Sequence, residues 1–171
     1  MPAITGWFDH ELAPRSSLAP RLSHDQAADD TIIDGPAFRV QVKTSCYAIH
    51  ISHDAVTAVS GTPRDREMRA VTAADVALLL KTSVGHNTEP DWERLRGRFA
   101  IVHIDLTRGA VTLATDRFGV FPLCCSIEGS RIAFSDRADS VPYRSQREID
   151  PQAIFNYVYF HVIPAPRTVF R

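Results

Sequence analysis

The sequence predicts an antiparallel α+β domain in which blocks of short strands alternate with two or three helices. Three observations support this fold class. Residues 37–44 alternate apolar and polar side chains, which is typical of a half-buried strand. Four further strand-like segments lie between residues 98 and 134 and are separated only by turns. Two helix-start patterns, Thr72-Ala73-Ala74-Asp75 and Asp150-Pro151, lie on either side of these four segments.

The first half of the chain predicts mainly strands. Residues 9–30 are rich in Asp, Ser, Pro and Ala and predict a loop with room for one helical turn at 16–22. The polar triplet Ser52-His53-Asp54 separates two alternating segments and therefore predicts the turn of a hairpin. The strands of this half are expected at 3–8, 37–44, 47–51 and 55–59.

The second half predicts a helix, a short helical segment, four strands and a final helix. Thr72 and Asp75 form a capping box, so a helix is expected from there to about Lys81, with Gly85 as its stop. Asp150 as N-cap and Pro151 as first helical residue begin the last helix. A short helix is expected at 90–96, and strands at 98–105, 110–115, 122–126 and 131–134.

Length and composition exclude several classes of protein. The chain has 171 residues, 44% of them hydrophobic and 23% charged, which suits one globular domain and excludes a collagen or a disordered acidic tail. The net charge of -1 gives no global attraction to nucleic acid or anionic lipid. The longest apolar run, Val76 to Leu80, is far shorter than the roughly 20 residues of a membrane-spanning helix. Met1-Pro2-Ala3 lacks a basic signal-peptide start, so a cytoplasmic protein is expected.

The cysteines and histidines do not predict a metal site. Cys46, Cys124 and Cys125 fit neither a disulfide framework nor zinc-ligand spacing, and all three are expected to be buried thiols. The segment His50-Ile51-Ser52-His53-Asp54 could imitate a metal cluster, but polar residues at a hairpin turn are the preferred interpretation.

Three ordered segments in the second half resemble a known family. They read Leu95-Arg96-Gly97-Arg98-Phe99-Ala100, Asp116-Arg117-Phe118-Gly119-Val120-Phe121-Pro122-Leu123 and Phe134-Ser135-Asp136. This order and spacing resemble the amidotransferase domain of the asparagine synthetases, and the likeness is good from about Leu78 onward. The segments 149–159 and 163–170 are similar to the family's connection to its synthetase half.

Five residues of these segments are interpreted as structural. Gly97 and Gly119 permit close backbone approach or positive φ. Asp116 and Arg117 can lock a turn by a charge-assisted hydrogen bond. Pro122 is expected to start a strand at a position where no backbone amide is needed.

The resemblance implies an Ntn-hydrolase-like sandwich of two antiparallel β-sheets flanked by helices. In active family members an N-terminal cysteine attacks the side-chain amide of glutamine. Pro2 stands at that position in this chain, so no catalytic residue is expected and glutaminase activity is predicted to be absent. Ser60-Gly61 falls where the family has its Asn-Gly oxyanion pair, and Ala73 falls where it has an acidic anchor for the glutamine amine. Pro2, Ser60, Gly61 and Ala73 therefore define an expected vestigial pocket.

Two other residues could supply a reactive group. Removal of Met1 would leave Pro2 with a secondary amine able to act as a base. Cys46 beside Tyr47 could be an internal nucleophile, although it lacks the terminal amine that assists the family's cysteine. The chain contains no S-G-G-x-D-S or Walker loop, so ATP chemistry is not expected within it.

The resemblance also implies a division of the chain and a partner. Residues 1–160 are expected to form the degenerate amidotransferase domain, and 161–171 to begin the connection to an ATP-dependent synthetase domain. ATP and Mg are expected only on that synthetase domain, in the same or a partner chain. The synthetase is expected to resemble lasso-peptide cyclases or β-lactam synthetases, with a peptide as a possible substrate. The alternatives are a vestigial domain of an ammonia-dependent asparagine synthetase and a free-standing binding module.

Overall fold

The fold is described from a computed structural model, which covers residues 2–12, 20–25, 29–85, 90–142, 148–164, 167 and 169. Ten strands form two antiparallel sheets. The first sheet contains β1 (Ile4–Asp9), β2 (Arg21–Asp25), β3 (Asp30–Gly35), β4 (Phe38–Lys43), β9 (Cys124–Glu128) and β10 (Arg131–Ser135). The second contains β5 (Tyr47–Ile51), β6 (Ala55–Arg64), β7 (Arg96–Asp105) and β8 (Ala110–Thr115). The strand orders are β2-β3-β4-β1-β10-β9 and β5-β6-β7-β8.

The main hydrophobic core lies between the two sheets. Phe8, Phe38 and Phe134 of the six-stranded sheet are fully buried and belong to one cluster with Val56 and Ile104 of the four-stranded sheet. Because alternate side chains of a strand point to opposite faces, the period-2 segments place their apolar side chains in this layer. The α+β sandwich of two antiparallel sheets predicted from the sequence is confirmed.

Helix α1 (Ala73–Gly85) covers the outer face of the four-stranded sheet. Its predicted capping box is present, since the Thr72 amide donates to Asp75 Oδ2 at 2.8 Å and the Asp75 amide donates to Thr72 Oγ1 at 3.2 Å. Val76 and Leu80 are buried against Val59 of β6 and Ile101 of β7. The sandwich therefore has a second, smaller core beneath α1.

Helix α2 (Pro151–Phe160) begins as its sequence predicts and ends before the prolines at 164 and 166 that were expected to end it. The Asp150 carboxylate accepts a hydrogen bond from the Gln152 amide at 3.0 Å. His161 adopts the left-handed conformation, with φ 56°, at the C-cap. Neither described helix combines the length and apolarity needed to cross a membrane.

Several element boundaries differ from the sequence predictions. Strand β2 lies inside the predicted loop at 9–30, and β3 was not predicted. The expected helical turn at 16–22 lies mostly outside the described residues, and its last two positions belong to β2. The expected helix at 90–96 is only one 3-10 turn, Trp92–Arg94, and β9 begins two residues after Pro122.

The expectation of three buried thiols is wrong. Cys46 and Cys125 are exposed and Cys124 is half-buried, although all three are free, as the sequence predicts. Cys46 lies in the turn between β4 and β5, and the other two lie on β9 at the edge of its sheet. Position in the fold, rather than the usual burial of cysteine, therefore decides their exposure.

Candidate functional site

The segment after Pro2 is fixed at one end of the sandwich. The Ala3 amide donates to Asp136 Oδ2 at 2.9 Å, and the Ala3 carbonyl oxygen accepts from the Lys43 amide at 2.8 Å. Asp136 Oδ1 also accepts a hydrogen bond from the Ile4 amide at 3.4 Å. Pro2 is half-buried immediately before this anchored segment.

Two buried residues of the other sheet face this end of the sandwich. Ser60 of β6 is directly opposite Tyr47 of β5, and both are less than a tenth exposed. Since Val56 and Ala58 of the same strand belong to the core between the sheets, strand alternation places Ser60 on that inner face. Burial raises the pKa of Tyr47, and the nearby negative charge of Asp136 raises it further. We call Pro2, Tyr47, Ser60 and Asp136 the terminal site.

Gly61 joins the terminal site to the segment that resembles asparagine synthetases. Its φ is +88°, a conformation that side-chain-bearing residues rarely adopt. A Cβ at this position would collide with the carbonyl oxygen of Arg98 and would lie 2.6 Å from Cε2 of Phe121. The Phe121 ring therefore packs over Gly61, and only glycine fits beneath it.

Asp116 organises the loop that carries Phe121. Its carboxylate accepts hydrogen bonds from the amides of Phe99, Phe118 and Val120 at 2.9 to 3.2 Å. Burial acts to raise the pKa of Asp116, but these amides hold it below its usual value.

The other predicted structural residues take different parts in this region. Backbone amides, and not the exposed side chain of Arg117, donate the hydrogen bonds described for Asp116, so they replace the expected charge-assisted partner. Gly97 and Gly119 have the expected positive φ, +91° and +60°. Pro122 is exposed and precedes β9 without starting it.

Ala73 lies apart from the other residues of the expected vestigial pocket. Ala73 is the first residue of α1, is 4% exposed, and packs with Val59 and Phe99 between the helix and the outer face of the four-stranded sheet. Val59 and Ser60 are neighbours on β6 and point to opposite faces of the sheet. The structure therefore brings Pro2 and Ser60 to the same side of the four-stranded sheet and places Ala73 on the other side.

Sequence reasoning missed Tyr47, Phe121 and Asp136 as members of this region. Asp136 and Phe121 lie in segments that resemble the family, so their roles could have been sought there. Tyr47 carries no such signal, because it reaches the site only through the pairing of β5 with β6.

The terminal site offers few groups for covalent chemistry. Pro2 has neither a thiol nor a hydroxyl, and Ser60 has no side-chain amide to donate to an oxyanion. Cys46 is the cysteine nearest to Pro2 in the sequence, and it lies in an exposed turn after β4. Lys43, the last residue of β4, donates its amide hydrogen bond to the Ala3 carbonyl oxygen. Among the described residues, no group of three or more His, Cys, Asp or Glu side chains could hold a metal ion.

The fold and the loop around Asp116 define a class of protein. A sandwich of two antiparallel sheets with its first strand held inside one sheet suits an amidotransferase-type domain, and comparison of the sequence with known families agrees. The profile of the glutamine amidotransferase domain matches residues 62–171, which is more than half of the chain. The chain belongs to this family. Searches of the curated proteins and of the solved structures find no match.

Proposed function

We propose that this chain is a non-catalytic amidotransferase-like domain of an asparagine-synthetase-like, ATP-dependent amide ligase. The observation that carries the proposal is Pro2, which precedes the anchored first strand where active amidotransferases have their nucleophile. Without a thiol or hydroxyl at this position no acyl-enzyme can form there. The ligase would be of the lasso-peptide cyclase or β-lactam synthetase type, in which the attacking amine is already part of the substrate and no ammonia from glutamine is needed.

The absence of glutaminase activity is tested by measuring glutamate released from glutamine by the purified chain. We expect no release above the rate in buffer, and no change in Cys46→Ser, which removes the one thiol in the turn after β4. Glutamate release by the wild-type chain would contradict the proposal. If Cys46→Ser abolished that release while Cys125→Ser did not, Cys46 would be the nucleophile.

The proposed scaffold role is supported by the surface of α2. Ala153 is its one buried residue, whereas seven large apolar side chains from the helix and its end are 41% to 68% exposed. They are Ile154, Phe155, Tyr157, Val158, Tyr159, Phe160 and Val162. An exposed apolar patch of this extent is typical of a surface that a protein partner covers. We propose that the synthetase domain, in the same or a partner chain, packs on α2. We also propose that ATP and Mg bind only to the synthetase domain.

Co-expression with the synthetase domain encoded in the same or a neighbouring reading frame tests this surface. We expect Tyr159→Asp to prevent co-purification, because burying an unpaired carboxylate at the interface is costly. Ile127→Asp is the matched control, since Ile127 is 69% exposed and belongs to β9 instead of α2. Co-purification that survives Tyr159→Asp would remove α2 from the interface.

Two other functions remain open for the same domain. A downstream synthetase with an aspartate pocket would favour a vestigial domain of an ammonia-dependent asparagine synthetase. The absence of any encoded synthetase would favour a free-standing binding module, for which a peptide is a possible ligand. An ATP-dependent partner would place the complex in the cytoplasm, where ATP is supplied.

A further inference from the structure

A cavity of about 510 Å³ lies on the outer face of the four-stranded sheet, beside α1. Ala74, Ala77 and Leu78 of α1 form an apolar wall. Asp54, Lys81 and His103 supply polar groups from the β5–β6 turn, the helix and β7. A volume of this size is within the usual range for small-molecule sites. None of these residues belongs to the terminal site.

His103 is the unusual member of the cavity lining, because it is buried with one ring nitrogen unused. The residue is 6% exposed, and its Nδ1 lies 2.8 Å from Oγ1 of the fully buried Thr57. His103 lines the cavity and Thr57 does not, and from this we infer that Nε2, the ring nitrogen opposite the Thr57 contact, is the one that faces the cavity. No described residue hydrogen-bonds to Nε2. Buried polar groups are normally paired, so this nitrogen calls for a partner from outside the chain.

The carboxylates of the cavity already have partners. Asp54 accepts from Ser52 Oγ at 2.5 Å and from Lys81 Nζ at 2.6 Å. Asp105 Oδ1 accepts from the hydroxyl of Thr107 at 2.8 Å and from two backbone amides. The acceptors on the wall are therefore largely engaged within the chain.

Donors remain available to a ligand. The Lys81 ammonium has three hydrogens, and Asp54 is its one hydrogen-bond partner among the described residues. The hydrogen bond to Asp54 raises the pKa of Lys81, so this ammonium stays charged at neutral pH. Burial lowers the pKa of His103, so its ring is neutral and can donate from Nε2 when the Thr57 hydroxyl donates to Nδ1.

We propose that this cavity binds a small monocarboxylic acid, whose carboxylate bonds to Lys81 and His103 and whose hydrocarbon chain lies on the alanine and leucine wall of α1. The carboxylate supplies the acceptor that His103 Nε2 lacks and a second acceptor for the Lys81 ammonium, which Asp54 already holds. The apolar wall favours an acid with a short hydrocarbon chain over an inorganic anion. This inference is independent of the proposed function of the terminal site.

NMR titration of the isotope-labelled chain tests the site, with 4-methylpentanoate as probe and the ring signals of His103 as readout. We expect a saturable shift with the acid and none with 4-methylpentan-1-ol, which has the same chain without the charge. Acetate, which lacks the chain, is expected to bind about tenfold or more weakly. Equal responses to acid and alcohol, or no saturable shift with the acid, would overturn the proposal.

Two lysine variants give a matched comparison. Lys81→Gln is expected to weaken binding of 4-methylpentanoate about tenfold or more, because the charge-assisted hydrogen bond is lost. Lys81 is 67% exposed, so the variant should still fold. Lys43→Gln changes the net charge equally on β4 of the other sheet and is expected to leave the affinity unchanged. If Lys81→Gln and Lys43→Gln bound 4-methylpentanoate with equal affinity, the proposal would also be overturned.

Discussion

Helices α1 and α2 have similarly apolar sequences and very different surroundings. In α1, Val76 and Leu80 are 0% and 3% exposed and pack on the four-stranded sheet. In α2, Val158 and Tyr159 are 63% and 68% exposed, and Phe155 stacks on Tyr159 with ring centroids 4.5 Å apart. The difference teaches that apolar content alone does not place a helix in the core. The packing of this domain leaves most of the apolar surface of α2 exposed.

The largest effect is expected in α1, from Leu80→Ala. Removing this buried side chain leaves a cavity beneath the helix and should lower the free energy of unfolding by about 2–5 kcal/mol. Chemical denaturation followed by circular dichroism measures the change. A loss below about 1 kcal/mol would mean that α1 packs as loosely as α2.

An intermediate effect is expected from Asp75→Ala, which removes the capping box of α1. Its loss should cost about 1 kcal/mol at neutral pH. Hydrogen bonds from the Thr72 hydroxyl and amide hold the pKa of Asp75 below its usual value. This stabilisation is therefore present above pH about 4 and is lost as the pH falls through the lowered pKa of the folded state.

Denaturation of wild type and Asp75→Ala at a series of pH values checks this prediction. The difference between the two proteins should shrink as the pH falls below about 4. Asp150→Ala is the matched change in α2, and it should increase amide exchange in the first turn of that helix with less effect on global unfolding. A difference in stability that is independent of pH would exclude the ionised capping box.

The smallest effect on stability is expected in α2, from Val158→Ala. Because this side chain is already mostly exposed, the free energy of unfolding of the isolated domain should change by no more than about 0.5 kcal/mol. Thermal denaturation of the purified chain measures it. A loss like that of Leu80→Ala would show that α2 is packed within the domain itself.

Local sequence signals predicted the elements whose own side chains specify them. The strand alternation of β4 to β6, the capping box of α1 and the Asp150-Pro151 start of α2 are examples. Strand β2 was missed because its sequence, Arg-Leu-Ser-His-Asp, has one apolar residue, and Leu22 is 53% exposed. It forms through pairing with β3 at the sheet edge, and no local sequence pattern predicts that contact.

The candidate site was predictable only where a family resemblance reached it. Pro2 and Ser60-Gly61 were chosen by position, and the structure puts Pro2 and Ser60 on the same side of the sheet. Ala73 was chosen in the same way, but α1 carries it to the other side. The cavity at His103 could not be predicted, since His50, Thr57 and His103 become neighbours only when β5, β6 and β7 pair.

The position of β1 affects how the chain folds. This strand lies in the interior of its sheet, between β4 and β10, and pairs Thr5 with Ser135. During synthesis one edge of β1 therefore stays unprotected until nearly four-fifths of the 171 residues have left the ribosome. Such distant pairing slows folding and exposes a strand edge to aggregation, so the nascent chain should benefit from chaperones that shield it.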